Sequence, residues 1–350
     1  MKEKIIDFLL EIADPSIVLR VKREILKNIS NEEENELLNK IIPQKNVQTI
    51  LQSQKPDGWF GNHFHGQSVK FGAGMYDNME VGLRYLAEKG FPPENEIVKK
   101  AVNSFLLKSR SDYAVYRFNN PKPPATDYSY TAFGLYFIIC SLIVRAGHEF
   151  SFPENENIDI NHDVDFSFKT FANVINYESP DDAIETHRRK ANFKQGVLWP
   201  CMYDLKVLAH SKGWRSEINV SLLADTVSHL LSFPQTGVDV YTYINGQFYA
   251  PCWAFIYNSI FNGTVRDFDT LELFARCGIV KQAAALKMKY DELLSLVDEN
   301  LYLNIAVDKR KDFKWGPYYG FAIEENWKNE VKIQCDLLFR ILMIMHYTGD

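Results

Sequence analysis

Two short stretches set a thiol where it could act as a nucleophile. LWPCMYD (198–204) and YAPCWAF (249–255) each place an aromatic residue, then Pro-Cys, then a bulky apolar residue at the start of a helix-like run. A cysteine at a helix N-terminus feels the positive end of the helix dipole, which favours the thiolate. Cys201 or Cys252 could then attack an electrophile, with a histidine from another segment as base. The plainer reading carries more weight: proline opens the helix, and cysteine serves as a small buried apolar side chain.

A second group is KWGPYYGFAIEENW (314–327), which gathers Trp315, Tyr318, Tyr319, Glu324, Glu325 and Trp327. Aromatics beside carboxylates suit a carbohydrate or a cation formed during a reaction. They equally suit a cover packed on the core next to an acidic helix start. Tyr128, Trp199, Tyr203, Tyr249 and Trp253 hold comparable places in other segments and would line the same mouth. His63 and His65, in GWFGNHFHGQ (58–67), alternate along the chain. In an extended loop they would point to opposite sides, and two ligands fall short of the three or four that zinc needs. Neither a metal nor a cofactor is expected.

The elements that must position these residues are mostly helices. Apolar helix-like stretches repeatedly end in a glycine, turn briefly and give way to another amphipathic stretch. The stops are Gly90, Gly147, Gly213, Gly278 and Gly349, spaced 57, 66, 65 and 71 residues apart. That spacing fits one helical hairpin plus a long return segment. Ser216 is a natural cap for the helix that follows Gly213. The return segments (112–130, 187–200, 238–251 and 301–327) are long and aromatic. If the hairpins run up and down, these segments share one face, which becomes the expected site. One of them, VYTYINGQFY (240–249), sets Asn-Gly between β-branched and aromatic runs and predicts a short β-hairpin.

Composition narrows the partners. The chain has 350 residues, 46% of them hydrophobic, enough for a large core. A formal net charge of -6 and the lack of a dense basic stripe argue against nucleic acid. The longest apolar run, 132–144, has 13 residues before Arg145 and reads as a buried helix, too short to cross a membrane. Acidic residues interrupt the apolar N-terminal stretch, so no signal peptide is expected. The five cysteines are expected to be reduced and the protein cytoplasmic. A small-molecule ligand is the expected partner.

The stretch LQSQKPDGWFG (51–61) resembles the Gln-x-x-Asp-Gly-x-Trp repeat of squalene and oxidosqualene cyclases, in the superfamily of terpenoid cyclases and protein prenyltransferases. The match runs through Gln54, Asp57, Gly58 and Trp59, with Trp one position early and Phe60 where the usual aromatic falls. Without reference to any family, these residues read as a clasp: Gly58 takes the turn, Gln54 satisfies helix-end groups and Trp59 covers the junction. The resemblance implies an all-α fold, an α/α toroid in which inner helices surround a cavity and outer helices ring them. It covers residues 47 to 350, with 1–46 as a helical segment packed on the single toroid domain.

The resemblance also sets expectations for chemistry, and the chain departs from them. Class II cyclases use Asp-x-Asp-Asp to protonate their substrate; HDVDF supplies Asp163 and Asp165, with Phe166 in the last place. Prenyltransferases hold zinc through Asp-x-Cys, and no cysteine here has an aspartate two positions before it. The first expectation is a cyclase- or prenyltransferase-like protein acting on an apolar small molecule. A scaffold that binds its ligand but has lost the cyclase acids is the non-catalytic alternative. A glycan-active α/α toroid, with carboxylates such as Asp204 and Glu324 as acid and base, is the third.

Overall fold

The computed structural model describes residues 1–62, 64, 78–107, 131–153, 158–194, 197–234, 240–244, 247–249, 261, 265–309, 312–313, 315–316 and 320–350. Residues 131–136, 242–244 and 247–249 are described by their backbone alone. The described chain is mainly helical, as the glycine-stopped pattern predicts.

The N-terminal segment forms α1 (Lys2–Ile12), α2 (Pro15–Arg20) with a wider π-helical turn after it (Val21–Leu26), α3 (Asn31–Ile41) and α4 (Lys45–Ser53). Then come α5 (Met79–Glu88), α6 (Glu96–Ser104), α7 (Thr131–Arg145) and α8 (Ile160–Ala172). The last five are α9 (Met202–His210), α10 (Glu217–Ser232), α11 (Arg266–Arg276), α12 (Ala284–Ser295) and α13 (Glu330–Thr348). Helix α7 packs on α5 and α9, α11 packs on α9 and α13, and α1 lies along α13. Helix α8 contacts α7, α9 and α10, while α10 also contacts α12.

Burial sorts the helices into two kinds. Residues 137–144 of α7 and 333–345 of α13 are buried without interruption, and α5 is buried on nearly every face. A helix buried all round lies in the interior. In contrast α6, α8, α10 and α12 each keep an exposed stripe.

Four of the five expected stops behave as the sequence predicts: Gly90, Gly147, Gly278 and Gly349 have φ between 80 and 89°, the left-handed conformation that ends a helix. Gly213 does not. Helix α9 already ends at His210, where Ser211 turns extended, and the Glu149 carboxylate accepts the freed Lys212 and Gly213 N–H groups at 2.7–2.9 Å. The carbonyls left open at that helix end are taken by Trp214, whose Nε1 donates to Leu208 O at 2.9 Å, and by Arg215, which donates to Ala209 O at 3.0 Å.

The clasp closes much as its residues predict. Gln54 Nε2 donates to the carbonyls of Gly58 at 3.1 Å and Ile97 at 3.0 Å, tying the end of α4 to the first turn of α6. Trp59 is fully buried against Phe64 and Phe105, with ring centroids 5.9 and 6.0 Å away. The predicted hairpin is present as β3 (Thr242–Ile244) antiparallel to β4 (Gln247–Tyr249), with Ile244 opposite Gln247. A second hairpin, β1 (Ile184–His187) with β2 (Lys190–Phe193), lies in a segment read from sequence as loop. Its turn residues Arg188 and Arg189 adopt φ of 47 and 66°, so no Asn-Gly signal marked it. Helix α8 starts at Ile160, where Asp159 accepts the His162 N–H at 2.9 Å and caps it.

Candidate functional site

The inward stripes of α5, α7, α9, α11 and α13 are charged where the rest of those helices is apolar. On α5, Glu80, Arg84 and Glu88 recur every fourth residue and so share one face. They line a cavity with about 980 Å³ of atom-free space, its mouth included. Ser141, Leu142 and Arg145 of α7 face it, as do Met202, Tyr203 and Lys206 of α9. Arg266, Asp269, Thr270 and Leu273 of α11, Arg340 of α13, and Trp315 with Gly320 complete the wall.

One end of the cavity is closed by ion pairs. Glu88 accepts from Arg20 at 2.6 Å, from Arg340 at 3.2 Å and from Arg145. Arg340 reaches Glu272 at 3.0 Å, and Glu272 holds Arg276 at 2.8 Å. Burial raises the cost of charging Glu88, and the guanidiniums of Arg145, Arg340 and Arg20 outweigh it, holding the carboxyl well below its usual range. His210 accepts from Arg145, and burial with the nearby guanidinium keeps its pKa well below that of a free imidazole. Glu88, Arg145, His210 and Arg276 all lie in the last turns of their helices. Arg145 also lines a second, open depression that contains Arg20, Glu24, His210 and Arg276. The charge cluster therefore stands between the two spaces.

Elsewhere the wall is less fully neutralised. Tyr203 donates to Glu80 at 2.7 Å, and Arg84 lies 3.8 Å from Glu80 and 5.2 Å over the Trp315 ring. Trp315 is fixed by its Nε1 bond to the Ala322 carbonyl at 2.8 Å and by the edge of Tyr85. Lys206 differs from its neighbours. Its ammonium lies 4.6 Å over the Tyr203 ring, and among the described residues it has no carboxylate within ion-pair distance. Burial, with Arg84 next, brings its pKa down to about 7. Asp269, its side chain 35% exposed, lies 3.7 Å from Arg340.

Of the residues singled out from sequence, this cavity collects Tyr203 and Trp315. Asp163 is buried beside α7, where its charge adds to burial in pushing up the Cys140 thiol. Asp165 points to solvent and pairs with Lys169 at 2.5 Å, so a position two residues away on the helix puts the two carboxylates on different faces. Asp204 caps its own helix, accepting the Cys201 N–H at 2.7 Å; burial raises its pKa to about 6. Cys201 is the N-cap residue of α9.

Glu324 lies in another cluster, accepting the Asp14 N–H at 2.8 Å with Lys332 3.2 Å away. Burial, then Asp336, pushes its pKa to about 9. Trp327 donates to Asp336 at 2.6 Å and packs on Phe313 and Phe321. Trp199 packs among Tyr177, Phe193 and Phe233. Tyr249 is in β4, its side chain outside the description, and His63, His65, Tyr128, Cys252, Trp253 and Tyr318 lie outside the described residues.

Among the described residues no group of three or more His, Cys, Asp or Glu side chains is arranged to hold a metal ion. Nor is any helix long and apolar enough to cross a membrane. Cys140, Cys201, Cys277 and Cys335 are free thiols. No protein-family model, curated protein or solved structure matches the chain.

Sequence reasoning missed Glu80, Arg84, Lys206, Asp269 and Arg340. One signal was present: Arg340 interrupts the apolar run LLFRILMIM (337–345), and a charge so placed must find partners inside.

Proposed function

We propose that the chain is an α/α toroid whose central cavity binds a small anionic molecule with an apolar portion. The toroid reading is supported by the succession of contacts from α5 through α7, α9 and α11 to α13, all of which contribute to the cavity wall. It is supported too by the bond from Arg340 of α13 to Glu88 of α5, which brings the last of these helices back to the first. The clasp at Gln54 to Trp59 and the order of hairpins favour ancestry shared with terpenoid cyclases and prenyltransferases.

The observation that carries the ligand reading is Lys206, a cavity cation with no carboxylate within ion-pair distance among the described residues. An incoming anion supplies the missing counter-charge in a partly enclosed site, where the attraction is stronger than at an open surface. Leu142, Met202, Leu273 and Trp315 give the same wall an apolar component. A prenyl diphosphate has the required chemistry, and so does a uronate, the acidic sugar of the glycan reading.

Thermal-shift measurements with prenyl diphosphates, uronates and their neutral counterparts test this. An anion that binds should raise Tm in a concentration-dependent way, the neutral counterpart should not, and Lys206→Met should remove the shift. Equal shifts from charged and neutral ligands, or unchanged shifts in the variant, would refute the reading.

A further inference from the structure

We infer that Tyr203 is a positioning residue of the anion site: its hydroxyl holds the Glu80 carboxylate away from Lys206, which leaves the cavity with a cation open to the ligand. This rests on the anion-binding reading and says what keeps that site open.

Two contacts made by one side chain carry it. Tyr203 and Lys206 are three residues apart on α9 and so share a face. The Lys206 ammonium lies 4.6 Å over the Tyr203 ring, while the hydroxyl of the same residue donates to Glu80 Oε1 of α5 at 2.7 Å. Tyr203 and Glu80 are both buried, so this bond to a charged acceptor is made away from competing water, where it is strong. Arg84, one turn after Glu80, stands 3.8 Å from the same oxygen, beyond hydrogen-bond length. It is anchored elsewhere: its Nη2 donates to the Gly316 carbonyl and its guanidinium covers the Trp315 ring at 5.2 Å. Of these two contacts to Glu80, Tyr203 makes the short one.

Charge gives the arrangement its consequence. Glu80, Asp269 and Lys206 line the same cavity. Of the two carboxylates Glu80 does more to favour the Lys206 charge, and Asp269 stands 3.7 Å from Arg340. A carboxylate and an ammonium in one partly enclosed wall attract each other more strongly than at an open surface. Without the hydroxyl, the buried Glu80 loses a donor that solvent cannot replace. The half-buried Lys206 ammonium, with three donors on a flexible stem, is suited to take that place. The resulting ion pair would compete with an incoming anion for the same cation. Tyr203 prevents it by occupying Glu80.

A rescue experiment on the full chain tests the inference. Geranyl diphosphate and glucuronate are titrated into the parent and three variants by isothermal titration calorimetry. For an anion that binds the parent, Tyr203→Phe should weaken binding roughly five- to tenfold, because a half-buried ion pair must first be broken. Adding Glu80→Gln to Tyr203→Phe removes the competing charge and should restore the parent's affinity. Glu80→Gln alone, which keeps an acceptor for the hydroxyl, should bind the anion at least as tightly as the parent. A displaced ring would leave the double variant as weak as Tyr203→Phe, so recovery separates the charge of Glu80 from packing. Circular dichroism and Tm report the folding of each variant. Should Tyr203→Phe not fold, the other two carry the test, and weaker binding by either would overturn the inference. Equal affinity in Tyr203→Phe and the parent, or a double variant as weak as Tyr203→Phe, would overturn it while anion binding stands. If neither anion binds the parent, the anion-binding reading falls and this inference with it.

Discussion

Glu88→Gln removes a single charge from the closed end of the cavity while keeping the side chain's size and one acceptor. In the parent, Glu88 accepts from Arg20 at 2.6 Å, Arg340 at 3.2 Å and Arg145, and it is 6% exposed. The variant leaves three guanidiniums around a neutral amide. Removing one partner of a buried ion pair costs about 3–5 kcal/mol, chiefly because the remaining charge is uncompensated. The expected loss of stability is in that range. Arg145→Met should cost less, about 1–2 kcal/mol, because Glu88 keeps two guanidiniums and because Arg276 and Arg20 disfavour the Arg145 charge. The double variant should then lose less than the sum of the two, by about 1–2 kcal/mol. Urea unfolding followed by far-UV circular dichroism measures all three. The Glu88 pKa is held below its ordinary value of 4.5, so its stabilisation is present above that pH and is lost only as pH falls through the lower folded value. The difference between Glu88→Gln and the parent should therefore stay flat from pH 9 to 5. A loss below about 1 kcal/mol, or strictly additive variants, would refute the account of this end as a charge-compensated plug.

Glu324→Gln should show the opposite pH behaviour. The Glu324 pKa is raised from 4.5 to about 9 in the fold, so the folded state holds a proton that the unfolded state releases, and stability falls as pH rises through that window. The stability of Glu324→Gln relative to the parent should rise between pH 5 and 9; urea midpoints that move in parallel would show the group is not protonated. Gly58→Ala should destabilise by about 2–3 kcal/mol or more, since Gly58 has φ +96° and an added Cβ would lie 2.0 Å from the Lys100 carbonyl oxygen. A melting temperature equal to the parent's would count against the clasp. Cys140, Cys277 and Cys335 are buried, and burial pushes each thiol pKa up, that of Cys277 to about 12. Iodoacetamide at pH 8 should leave these three unmodified until urea unfolds the chain; rapid native alkylation of any of them would overturn the packing described here.

The helices, most of their stops and the clasp were legible in the sequence because each is decided locally. A left-handed glycine after an apolar run ends a helix whatever surrounds it, and the run at 132–144 was apolar enough to require burial. Local chemistry also explains one miss, the Arg188-Arg189 turn, which takes the left-handed conformation without the Asn-Gly pair that usually marks it. The site is a different case. Glu80, Arg84 and Glu88 at four-residue spacing have the same pattern as the solvated face of a surface helix. Nothing nearby reveals that this face is turned inward. What turns it is compensation from far along the chain: Glu88 is paired with Arg20 at a separation of 68 residues and with Arg340 at 252. Aromatic content failed as a guide for the same reason, since it predicts burial without direction. Trp199 and Trp327 spend their surface on other rings, and among the described residues singled out from sequence Tyr203 and Trp315 reach the cavity.

The pairs that make the cavity wall are therefore also pairs that fix one interior helix against another. A carboxylate buried in such a wall is tolerable only with a cation from a neighbouring helix, so satisfying the charges and setting the helix register are one requirement. Lys206 stands outside that logic. It is half-buried, its ammonium lies over the Tyr203 ring, and among the described residues it has no carboxylate within ion-pair distance. On the ligand reading proposed above, its place in the wall answers to what enters the cavity rather than to what holds the helices together.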